Sequence, residues 1–214
     1  MKIKKILLII IFILCVSGCT RLTNLNYDDI INKLADKENS PNTFKRGYKL
    51  YIPKGLDIIN AGANFAVISS KNTNYYLYVD LISYFNKKDY TYEINNNSIY
   101  SKKISYDEKN GYVEINLKEN NQYLIEIMYN YAKIEVMVEE SEINAALFNS
   151  ICILSSIKYD DEVIKALLED DNLNYTEEII NLFEKAKENS DILNYIEEEV
   201  IEEKEDVKDT DYIN

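Results

Sequence analysis

Hydrophobic and polar positions recur along this chain with two different periods, and the changes of period divide it. Ile6 to Val16 is an unbroken apolar run behind Lys2, Lys4 and Lys5. From Tyr27 the spacing turns helical: Ile30, Ile31 and Leu34 share one face, and the pattern ends near Glu38, before Asn39-Ser40-Pro41-Asn42. The helix is expected to stop there because the residue before a proline is pushed out of helical geometry. From Gly47 the period falls to two, the signature of strands with one buried face. It predicts strands over 48–52, 64–69, 75–85, 90–94, 98–106, 112–117, 123–129 and 133–138. Between them lie turn-forming stretches such as Lys71-Asn72-Thr73-Asn74, Asn95-Asn96-Asn97, Lys118-Glu119-Asn120-Asn121 and Asn130-Tyr131. Connections this short favour antiparallel neighbours, since parallel pairing needs a long crossover. Alternation places Val113, Ile115 and Leu117 toward a core, with Tyr112, Glu114, Asn116 and Lys118 facing away, and turns Ile134, Val136 and Val138 inward.

The helical period returns over 139–151, where Ile143, Ala146, Leu147, Ser150 and Ile151 form one stripe suited to lying across a sheet. A last strand is predicted over 154–159, then helical stretches over 160–171, 175–188 and 191–203. The expected fold is therefore α+β: a mainly antiparallel sheet with a helix packed on it, plus C-terminal helices and an acidic tail. The chain divides into a leader, 1–18; a tether, 19–26; an α+β domain, 27–159; a helical extension, 160–201; and a tail, 202–214, whose Glu and Asp content predicts disorder.

Composition adds a core and removes several partners. Hydrophobic residues are 46% of the chain and charged residues 29%, an ordinary globular balance. The net charge is −13, and setting aside the three leader lysines takes it to −16. Nucleic acid and anionic headgroups bind clustered Lys and Arg, so neither is an expected partner. Of three cysteines, Cys15 lies in the leader and Cys152 in the apolar run Ile151-Cys152-Ile153-Leu154, where a buried inert thiol is expected.

The leader carries the most specific motif. Eleven apolar residues rise only about 16 Å as a helix, too short for a bilayer core of roughly 30 Å. Three lysines, this run and the small residues after it form a signal-peptide pattern. Val16-Ser17-Gly18-Cys19 then resembles the lipobox of bacterial lipoproteins. That resemblance implies a diacylglyceryl thioether on Cys19, cleavage after Gly18, and a protein held by lipid at the cell membrane on its extracytoplasmic face. Two acyl chains give stable attachment where one is marginal.

Residues 47–159 are also similar to the PsbP-like fold. Gly47-Tyr48-Lys49-Leu50-Tyr51-Ile52-Pro53-Lys54-Gly55-Leu56 looks like its opening strand and turn, with Leu56 where an aromatic is usual. The terminal helix running into Ser155-Ser156-Ile157-Lys158-Tyr159 looks like its closing element.

Catalytic chemistry finds little support. A chain with no histidine lacks the commonest general base and transition-metal ligand, which excludes Ser-His-Asp and Cys-His catalysis. Ser155-Ser156-Ile157-Lys158 spells S-x-x-K, but the companion K-T-G is absent. Asp170-Asp171-Asn172-Leu173-Asn174 imitates a calcium loop, yet Tyr175 stands where Gly is needed and Asn181 where a bidentate Glu is needed. No metal and no cofactor are expected.

The suggestive feature is the segment 75–85. With Leu77, Val79, Leu81 and Phe85 toward the core, Tyr76, Tyr78, Asp80 and Tyr84 line the other face, either as a binding face or as a surface covered by the C-terminal helices. The leading expectation is a non-catalytic, lipid-anchored surface protein that binds an envelope protein or glycan. The alternative is a carboxylate-based cell-wall hydrolase, recognisable by two desolvated carboxylates in a concave pocket.

Overall fold

The computed structural model describes residues 25–35, 37, 39–71 and 73–169. The expected leader with Cys19, the calcium-like stretch at 170–174, the helical stretches predicted over 175–203 and the acidic end of the chain lie outside the described residues. What is described is an α+β fold containing a seven-stranded and a three-stranded antiparallel sheet.

Helix α1, Tyr27–Ala35, begins where the side chain of Asn26 accepts the Asp28 amide at 2.9 Å. Strands β1, Thr43–Lys45, and β2, Tyr48–Leu50, form a hairpin whose turn needs Gly47 at φ +92°. The large sheet follows. Its strands are β3, Asp57–Ala61; β4, Phe65–Ser70; β5, Thr73–Val79; β6, Tyr100–Tyr106; β7, Lys109–Leu117; β8, Gln122–Tyr129; and β9, Ala132–Glu139. Across the sheet they run β3-β4-β5-β9-β8-β7-β6, so β9 returns to the middle beside β5. A short helix α2, Leu81–Phe85, leaves the end of β5. Helix α3, Ile143–Ser155, crosses the sheet, β10, Lys158–Tyr159, joins β2, and α4, Asp161–Glu169, completes the described chain.

Alternation dictates the main core. Ile68, Leu77, Ile125, Ile127, Ile134, Val136, Val113 and Ile115 point from successive strands to one face, where the predicted helical stripe Ile143, Ala146, Leu147, Ser150 and Ile151 is buried. Helix α1 adds Ile30, Ile31 and Leu34. The core does not end at 159: Ile164 and Leu167 of α4 are buried in it, and a Cβ on Gly47 would lie 3.1 Å from Ile164.

Several expectations need correction. The strand predicted over 75–85 stops at Val79, because the Asp80 carboxylate accepts the Ser83 amide at 2.8 Å and starts α2. Residues 90–94 pair with no strand despite their alternation. The 154–159 segment is mostly helix end and turn, with two residues of strand. Leu117, expected inside, is exposed at the end of β7. Strands β1 and β3 were not legible, being a three-residue edge and an edge strand whose register shifts between Ile58 and Asn60.

Candidate functional site

The residues singled out at 76, 78, 80 and 84 fall into two separate places. Tyr76 and Tyr78 project from β5 onto the second face of the large sheet, with Phe65, Val67, Tyr112 and Met128. Asp80 and Tyr84 belong to α2 at the end of the sheet. The break at Asp80 separates them, so the four form no common face.

The second sheet face is buried, and it holds charge. Glu114, Glu126 and Glu135 stand directly opposite one another on β7, β8 and β9, an arrangement of like charges that destabilises unless compensated. Lys133 supplies the compensation: its Nζ lies 3.0 Å from Glu126 Oε2 and 2.7 Å from Glu135 Oε1. Both are buried ion pairs by distance. Burial works against the Lys133 charge, but Glu126 and Glu135 outweigh it and hold the ammonium's pKa above its ordinary value. Tyr112 donates its hydroxyl to Glu126 and is pushed far up by burial first and Glu126 second.

A strap formed by residues 86–99 closes this face. Tyr90 and Tyr92 stack on Tyr112 with ring centroids 5.8 and 4.2 Å away. The Tyr92 hydroxyl donates to Glu114 and lies 2.8 Å from Ser101 Oγ, while the Asn95 amide group reaches Glu114 at 3.2 Å. Burial, together with the charges of Glu126 and Glu114, pushes Tyr90 up to about 12. Sequence reasoning missed Glu126, Lys133 and Glu135. Lys133 and Glu135 at alternate positions of β9, with the single Glu126 of β8, look like a solvated face, and only Tyr90 and Tyr92 hint at a cover.

At the end of the sheet, tyrosines gather around α2. The Asn130-Tyr131 turn places both residues at positive φ, 53° and 60°, and Tyr131 accepts the Asp80 amide at 2.8 Å through its carbonyl. Tyr84 stacks on Tyr159 at 3.7 Å and meets Tyr131 edge-on at 5.7 Å with planes 83° apart. Its hydroxyl donates to Asp161 at 2.9 Å, and burial plus that carboxylate push it up to about 12. Lys87 Nζ lies 3.8 Å from the Tyr84 ring centroid, on its face. Asp80 is 2% exposed, its Oδ2 has no hydrogen-bond partner among the described residues, and burial raises its pKa despite the Ser83 amide and the Lys88 charge.

Other candidate chemistry is occupied structurally. Ser156 donates to the Ile153 carbonyl at 2.6 Å and accepts the Tyr51 amide at 2.8 Å, and Ser155 reaches the Cys152 carbonyl at 3.5 Å, so the S-x-x-K serines cap a helix. Cys152 is buried with a free thiol whose pKa burial raises. Two surface hollows of about 600 and 480 Å³ adjoin through Glu140 at the opposite end of the sheet. Their carboxylates, Glu139 and Glu140, are exposed to solvent. Among the described residues no helix is long and apolar enough to cross a membrane, and no group of three or more acidic or cysteine side chains is placed to hold a metal ion.

No protein family, curated protein or solved structure matches this chain.

Proposed function

We propose that the protein is a lipoprotein anchored to the outer face of the cell membrane, and that its folded body is a non-catalytic binding or accessory module for an envelope partner. The observation that carries this reading is the order of Lys2 to Lys5, an eleven-residue apolar run and Val16-Ser17-Gly18-Cys19. Helix α1 starts eight residues after Cys19, so the body would stand within about 30 Å of the lipid even on a fully stretched chain.

The state of the carboxylates supports binding over hydrolysis. A glycosidase needs one carboxyl to give a proton and another to face substrate or water, within a cleft. Glu126 and Glu135 instead share Lys133 beneath a layer of tyrosines, and Glu114 is tied to Tyr92 and Asn95. Cys19→Ala tests the anchor: the variant should incorporate no labelled fatty acid and remain uncut before residue 19. Wild-type labelling of that variant would sink the lipoprotein reading.

A further inference from the structure

We propose that the corner made by Tyr84 and Tyr131 binds a lysine side chain of a partner protein, and that Lys87 occupies the same place in the free protein. This deepens the binding-module reading, and rests on it for its role in the envelope, by naming what the module recognises.

The geometry points to an ammonium. Two ring planes at 83° form adjoining walls, and Tyr159, stacked at 3.7 Å, closes the far face of one of them. Ring faces carry negative quadrupole charge and attract cations, and carboxylates near the ring add their own Coulomb attraction. Here Asp161 touches the Tyr84 hydroxyl, and the charges of Asp89 and Asp80 both bear on Tyr131. A cation already sits on Tyr84: the Lys87 ammonium, 3.8 Å from the centroid and carried on an exposed residue whose backbone is left-handed at φ 50°. With Tyr159 on one face and the Lys87 ammonium on the other, Tyr84 already holds a cation, and that contact marks the chemistry the outer face accepts.

A primary ammonium fits better than a quaternary one. Asp161 and Asp89 are exposed carboxylates that accept N–H bonds, and a methylated nitrogen has none to give. Tyr84 and Tyr131 are half-buried, so their rings are accessible while fixed by packing. The chain's net charge of −13 draws a basic partner toward it.

The test uses the full-length chain in non-ionic maltoside micelles, which carry no cation, and follows the ring resonances of Tyr84 and Tyr131 by NMR. Three probes are titrated: Nα-acetyl-lysine methylamide, its neutral norleucine analogue and tetramethylammonium. The lysine probe is expected to give saturable shifts confined to these rings, with little response to norleucine. Lys87→Ala removes the internal competitor and should tighten the lysine probe by about two- to fivefold, the range of an exposed cation–π contact. Tyr84→Phe keeps the ring and should bind, whereas Tyr131→Ala should not. Equal shifts with norleucine, no saturable shift, or weaker binding by Lys87→Ala would each overturn the proposal. A preference for tetramethylammonium would assign the corner to choline-type groups and overturn the lysine assignment. None of these readouts depends on Cys19, so an unlipidated chain that binds lysine separates failure of the anchor from failure of the corner.

Discussion

The two faces of the seven-stranded sheet come from the same alternating strands and are buried by opposite means. On one face, α1 and α3 lay apolar stripes against Ile, Leu and Val, and burial is a sum of many small, replaceable contributions of roughly 25 cal/mol per Å². On the other, Lys133 and two glutamates are buried by tyrosines and an irregular strap. Taking these charges out of water costs several kcal/mol each, which their attraction offsets only while the set is complete. The first face tolerates change in proportion to the volume changed. The second behaves as a unit.

Breaking that unit should produce the largest effect. Lys133→Met leaves Glu126 and Glu135 buried opposite each other, and urea denaturation should show a loss of about 3–5 kcal/mol. Replacing the set together, as Lys133→Met with Glu126→Leu and Glu135→Leu, should recover most of it. A triple variant as unstable as the single one would mean that the trio contributes more than an apolar layer of its size.

Loosening the cover should cost less. Tyr92→Phe removes the hydroxyl shared by Glu114 and Ser101 but keeps the stack on Tyr112, so a loss of about 1–2 kcal/mol is expected. Hydrogen exchange should quicken in residues 86–99 and stay slow in β8 and β9. Uniform quickening across the sheet would show that strap and sheet open together.

The smallest effect concerns Asp80, where the break between the two candidate regions occurs. Its folded pKa is raised above the ordinary 3.8 by burial, so the native state holds the proton more tightly than the unfolded chain. Its contribution to stability therefore falls as pH rises through 3.8 and the folded value above it. Asp80→Asn keeps an acceptor for the Ser83 amide and removes the titration, so melting curves in that window should converge on the acid side, with the variant gaining as pH rises. A variant that loses ground to the wild type as pH rises would reverse the sign assigned to this carboxylate.

Periodicity and turn chemistry by themselves determined the strands β4 to β9, their hairpin pairings β4-β5 and β6-β7-β8-β9, the α3 stripe and α1, because each depends on neighbours within a few residues, whereas the pairing of β9 with β5 joins distant segments and was decided by tertiary structure. Asn130-Tyr131 was legible as a turn for the same reason. Alternation also separated Val113 and Ile115 from Tyr112 and Glu114 correctly, but it states only that two faces differ. Whether the second face meets water or a strap depends on where residues 86–99 travel, and that is fixed by stacking on Tyr112 and hydrogen bonds to Glu114 and Ser101, partners distant in sequence. Tertiary structure alone therefore buried Lys133, Glu126 and Glu135 and turned the alternating Tyr90-to-Ile94 segment into a cover. The end of β5 is different: it is a local cap, Asp80 accepting the Ser83 amide, which the alternation over 75–85 masked, and it carried Tyr84 from the face of Tyr76 and Tyr78 to the corner with Tyr131, whose place beside α2 only the tertiary structure decided.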